Sequence, residues 1–141
     1  MDGSLRTFDT IEPSVVKSVE IAASMNDVWR ALTETEQIAR WMGGAKVESK
    51  WELGARITFT GKLHKYTYRD RGTVVAVERE KLLEYSQWAG LSRLPDLPQN
   101  RTLITLSLDW SGEKTSLTVR HECFYSEAAQ ARQLLLGLRA Q

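Results

Sequence analysis

His121 and Cys123 stand two residues apart in "RHECF", a spacing that puts both side chains on one face of a strand and invites a nucleophilic Cys/His pair. Same-face neighbours along a strand lie about 6.6 Å apart at Cα, so a direct imidazole–thiol hydrogen bond needs unusual side-chain reach. Two satisfied core residues are the expected reading. His64 and His121 are the only histidines and Cys123 the only cysteine, which leaves too few ligands for the usual zinc cage and excludes an internal disulfide. The lone thiol suits a reducing compartment.

Other chemistry is equally thin. The sequence has no Ser-centred nucleophile elbow, phosphate-cradling glycine loop or zinc-protease helix motif. Glu34 and Glu36 point apart at i, i+2 on a helix, so they read as surface residues. Lys62, His64, Lys65, Arg69 and Arg71 are interleaved with Tyr66 and Tyr68, a pattern able to stack on single-stranded nucleic acid. Asp70 interrupts this cluster and the chain carries a formal net charge of only +1, so a solvated hairpin is expected and no nucleic-acid partner. No catalytic residue, cofactor site or metal site is assigned.

These groups have to be placed by one domain. A chain of 141 residues with 42% apolar and 26% charged residues has the composition of an ordinary globular protein with a real core. No window approaches the ~18 apolar residues of a membrane span, and "MDGSLRTFDTIEP" lacks a signal-peptide run. The expected setting is cytoplasmic. Residues 1–14, with Pro13, form an N-terminal arm, loosely ordered or laid along an edge; residues 15–141 form the domain.

In "VVKSVEIA", Val15, Val19 and Ile21 alternate as on a half-buried strand. Ser24 then caps a helix, with Asp27 in the capping-box position and Met25, Val28, Trp29 and Leu32 on one stripe. Thr33–Thr35 interrupt it, and a second short helix carrying Ile38, Trp41 and Met42 stops at Gly43 and Gly44. From Lys46 to Glu122 the period is near two. Ile57, Phe59 and Leu63 are followed by Val75 and Val77, and Leu83, Tyr85 and Gln87 alternate with Leu82, Glu84 and Ser86. Ile104, Leu106, Leu108 and Trp110 oppose Leu103, Thr105, Ser107 and Asp109; Leu117, Val119, His121 and Cys123 oppose Ser116, Thr118, Arg120 and Glu122. Such alternation predicts an antiparallel sheet with one apolar and one wet face, and "SGEK" at 111–114 predicts a hairpin turn. Ser126 caps a terminal helix striped by Ala131, Leu134, Leu135 and Leu138. The order gives an α+β domain in which a curved antiparallel sheet of about six to seven strands surrounds a C-terminal helix, with two short helices after the first strand. Between two strands, "AGLSRLPDLPQN" at 89–100 brings Leu91, Leu94 and Leu97 at every third position. They cap a cavity, form a dimer contact or cover a core edge.

"VEIAASMNDVWRALTETEQIARWM", "RGTVVAVEREKLLEYSQW" and "TSLTVRHECFYSEAA" together resemble the SRPBCC or START-like helix-grip domains, of the Bet v-like kind. The branch most similar is AHSA1-like, related to the C-terminal part of activators of the heat-shock protein 90 ATPase. The likeness runs from residue 15 to about 131. Relatives commonly continue the final helix for several turns beyond the length available here, about 20 Å from Ser126. That implies a truncated chain, an altered C-terminal end or a pocket completed by a second subunit, and so a possible homodimer.

The resemblance implies an apolar cavity between the sheet and the C-terminal helix, its mouth guarded by residues 24–42. Trp41 and Met42, beside the flexible Gly43–Gly44, stand where a gate would be. Phe59, Tyr85, Leu106, Leu108 and Val119 turn inward, with Tyr85, Gln87 and His121 as the polar groups of a ligand site. The same side chains would equally fill a solid core. Three functions follow: a non-enzymatic module holding a small hydrophobic ligand; a protein-interaction module or co-chaperone; and, by analogy with cyclase and aromatase relatives, an enzyme using His121.

Overall fold

A computed structural model describes residues 10–124, with side chains described from 15 to 122. The arm before Thr10, the helix expected from Ser126 and the side chain of Cys123 lie outside the described residues.

Seven strands form one antiparallel sheet: β1 (Thr10–Ile21), β2 (Lys46–Ser49), β3 (Arg56–Leu63), β4 (Tyr66–Glu78), β5 (Leu82–Trp88), β6 (Thr102–Trp110) and β7 (Thr115–Phe124). The order across it is β1-β7-β6-β5-β4-β3-β2, so only β1 crosses from one end of the chain to the other. Pairing begins at Thr10, before the Val15 expected from alternation, and the register shifts between Ile11 and Ser14. Pro13 lies in that irregularity on an edge strand, where its missing N–H does no harm.

Turn chemistry sets the rest. Gly112, at φ +99°, lets residues 111–114 reverse the chain between β6 and β7, and Ser111 N donates to the Lys114 carbonyl at 2.9 Å. His64, at φ +56°, occupies the β3–β4 hairpin tip.

Helices α1 (Met25–Thr33) and α2 (Thr35–Trp41) pack on the inner face of the curved sheet. Ser24 Oγ accepts the Asp27 backbone N–H at 3.1 Å, as an N-cap should. The α1 stripe then buries Val28, Trp29 and Leu32, each worth about 1.5–3 kcal/mol. Ile38 adds the one buried position of α2. Against them lie Val47, Ile57, Phe59, Val74, Leu83, Ile104, Leu106 and Leu108. On the edge strand, Val15 and Val19 are 41% and 52% exposed.

Two departures from simple alternation matter. A bulge between Val74 and Ala76 sends Val74 and Val77 to the main core, while Val75 packs with Leu103 on the opposite side. The face expected to be wet is also partly covered. Leu103 is fully buried there and Ser86, Glu84 and Glu122 are buried beside it. The 89–100 connection explains part of this cover: its Asp96 grips Arg101, whose guanidinium donates to the hydroxyls of Thr73 and Ser86.

Candidate functional site

The core leaves space. A cavity of about 420 Å³ lies between the two helices and the inner sheet face. Tyr85, Ile104, Leu106, Leu117 and Val119 supply its floor, Ile21 one side, and Val28, Ala31 and Leu32 of α1 its roof. Trp41 and Met42 stand at the end of α2 where the space opens, with Asp27 as the one charged residue among its described lining. A volume of this size falls within the range of small-molecule sites.

Polar groups inside are few. Burial pushes the Tyr85 phenol up to about 12, so it stays a neutral donor and acceptor across the physiological range. Its ring is fixed on two sides, with Phe59 at a centroid distance of 5.9 Å and Trp51 edge-on at 6.5 Å. The Trp41 ring is 56% exposed, yet its indole N–H donates to the Ala31 carbonyl at 2.8 Å. The rim tryptophan is therefore tied to α1. Gly43 and Gly44, at φ +64° and +87°, turn the chain directly after it.

A second cavity of about 230 Å³ shares Met42 with the first. Phe59, Leu63, Ala89 and Leu91 line it, together with Tyr68, Asp70 and Gln87. Asp70 lies opposite Phe59 in the β3–β4 register, which places it on the inner face. Its Oδ1 accepts the Gly90 backbone N–H and its Oδ2 the Gln87 Nε2, each at 2.9 Å. Burial nevertheless raises its pKa above the ordinary carboxylate value, and those two hydrogen bonds oppose the rise. Tyr68 is raised as well, chiefly by burial and then by the charge of Asp70. A Cβ on Gly90 would collide with the Arg69 carbonyl oxygen, so only glycine lets the loop approach closely enough to bond Asp70.

The side chains expected at a ligand site therefore divide. Trp41, Met42, Tyr85, Leu106 and Val119 line the larger cavity; Phe59 and Gln87 join Met42 around the smaller one. Leu108 is core, and the described lining of neither cavity includes His121, whose pKa is lowered by burial. Asp70 was the residue sequence reasoning passed over. Its inward position within the β4 alternation, amid basic neighbours, was the available signal. The three loop leucines share no face: Leu91 lines the smaller cavity, the Leu94 carbonyl accepts the Trp88 indole N–H at 2.9 Å, and Leu97 is 43% exposed.

Among the described residues no group of three His, Cys, Asp or Glu side chains is arranged to hold a metal ion, and no helix is long and apolar enough to cross a membrane.

The fold is shared widely. The solution structure of ChR145 from Cytophaga hutchinsonii is 27% identical, covering 92% of both chains at a TM-score of 0.70. Protein Ms6760 from Mycobacterium smegmatis superposes at a TM-score of 0.73 with 16% identity, over 89% of this chain and 80% of that one. PFC0360w, an Hsp90 activator from Plasmodium falciparum, reaches 0.60 with 13% identity, over 79% of this chain and 73% of its own. No curated protein matches the sequence. Residues 22–137 match the family described as Activator of Hsp90 ATPase homolog 1-like protein, which spans both helices and β2 to β7, and the chain belongs to that family.

Proposed function

We propose that this domain holds a small hydrophobic molecule in the larger cavity without transforming it. The observation that carries the reading is the unfilled space of about 420 Å³, walled by aliphatic side chains and offering the neutral Tyr85 hydroxyl for orientation. Burying apolar ligand surface there yields about 25 cal/mol per Å², and a single hydroxyl adds selectivity more than affinity. The unit that does this is the domain of residues 15–141, in a cytoplasmic setting.

The test is a tryptophan-fluorescence titration with fatty acids, sterols and aromatic compounds, since Trp41 lines the cavity and Trp51 packs on Tyr85. A saturable response from at least one class is expected, weakened roughly tenfold or more by Val119→Phe, which fills the floor. Absence of saturation with every class would overturn the reading.

A second reading, a co-chaperone, is supported by the family description and by likeness to an Hsp90 activator. The exposed Trp41 and Leu97 side chains then become contact residues. It requires the purified chain to raise the ATPase rate of an Hsp90-type chaperone; an unchanged rate at saturating chain rejects it.

A further inference from the structure

The smaller cavity carries a feature that an apolar ligand site does not need. Asp70 faces inward among Phe59, Leu63, Leu91 and Met42. Each of its oxygens accepts one protein hydrogen bond, from Gly90 N and Gln87 Nε2, whereas a carboxylate has about four acceptor positions. Among the described residues no lysine or arginine pairs with it. The flanking Arg69 and Arg71 occupy the alternate positions of β4, and Arg71 is engaged elsewhere, stacked 4.7 Å over the Trp88 ring and 3.5 Å from Asp96. Asp70 also borders a wider space lined by Arg69 and Arg71, yet neither forms an ion pair with it. A carboxylate at the edge of a largely apolar recess with spare acceptor capacity is complementary to a ligand that brings its own cation.

Resting on the cavity reading above, we infer that the ligand is an apolar or aromatic molecule bearing a protonated amine. The apolar body occupies the larger cavity, the chain passes Met42, and the ammonium group donates to Asp70. Met42 lines both spaces, and in this arrangement one molecule spans them past its side chain. The Gly90 and Gln87 donors hold the carboxylate in place before the ligand arrives, which lowers the ordering cost of binding. An acidic ligand of the same shape meets like charge and is disfavoured.

The test compares three probes of one apolar body, phenylbutylamine, phenylbutanol and phenylbutanoate, by calorimetry on the full chain. The amine is expected to bind about tenfold more tightly than the alcohol, and the acid most weakly. In Asp70→Asn the amine should fall to the level of the alcohol, the loss for the amine being several-fold larger than any change in the alcohol. Gln87→Lys, which supplies an internal cation beside Asp70, should abolish the amine preference in the same way and covers the case in which Asp70→Asn does not fold. Saturable alcohol binding with no amine preference, or a preference that survives these changes, overturns the inference and leaves the cavity reading intact. No binding by any of the three overturns the inference, while the cavity reading is decided by the fluorescence titration.

Discussion

The indole N–H of Trp51 donates to the Thr33 carbonyl at 2.7 Å, joining the β2–β3 connection to the last residue of α1. A helix of this length leaves its final carbonyls without intrahelical partners, and here two indoles serve them, Trp51 at Thr33 and Trp41 at Ala31. Trp51 holds a left-handed backbone at φ +54° to do so, with its own N–H bonded to Ser49 Oγ at 3.0 Å. The two bonds differ in burial, since Trp41 is an exposed rim residue and Trp51 is packed against Tyr85. Trp51→Phe should therefore cost about 1–2 kcal/mol and Trp41→Phe less than about 1 kcal/mol, read from urea-denaturation midpoints. Equal effects would mean that the indole bonds do not secure α1.

Gly72 makes the Phe59 position possible. A Cβ there would stand 2.5 Å from the Ser86 carbonyl oxygen and 3.3 Å from Phe59 Cε2. The carbonyl belongs to the paired strand and cannot retreat without breaking the ladder, so the ring and the strand would both have to shift. Gly72→Ala should destabilise by about 2–3 kcal/mol and weaken ligand response, because Phe59 supports the Tyr85 ring. Thermal unfolding and the fluorescence titration measure the two effects separately.

The sheet was legible because β5, β6 and β7 alternate cleanly, and α1 because Ser24 and the Met25, Val28, Trp29, Leu32 stripe agree on one helix. The β4 bulge was not, because a bulge changes side-chain facing with no distinctive residue: Val75 and Val77 look equivalent in sequence, yet only Val77 joins the main core. Larger-cavity residues from the sheet were readable from alternation. Ala31 and Leu117 needed the helix-to-sheet docking, which no local pattern specifies. Asp70 was hidden for a different reason. A charge within a basic run reads as solvated until the register places it opposite Phe59.

The loop at 89–100 is held by charge more than by its leucines. Arg101 Nε and Nη2 donate to the two Asp96 oxygens at 2.8 and 3.0 Å, and both side chains are only 17% exposed. Asp96→Asn removes the anion facing both Arg101 and Arg71 and leaves Arg101 tied only to the Ser86 and Thr73 hydroxyls. Loss of one partner of a largely buried bidentate pair should cost about 2 kcal/mol, below the value for full burial because some solvent reaches it. Hydrogen exchange should accelerate across residues 89–100 before it does in β5 or β6. Leu97→Ser, at an exposed site, should change stability by less than about 0.5 kcal/mol. If the two variants behave alike, the ion pair is not what docks the loop.

His121 gives the fold a defined acid response. Its Cα partners are Val15 on β1 and Ile104 on β6, and burial lowers its pKa below the ordinary value of 6.5. Between the folded and unfolded values the unfolded chain binds the proton more readily. The neutral imidazole's contribution is therefore fully present above about pH 6.5 and is lost as pH falls through the folded-state value. Stability should drop as pH falls below about 6.5 and level off once pH is below the lowered folded-state value. His121→Leu removes the titrating group while retaining an apolar side chain, so the variant should show a shallower fall over the same interval. Parallel curves for the two proteins would assign the acid sensitivity to another group.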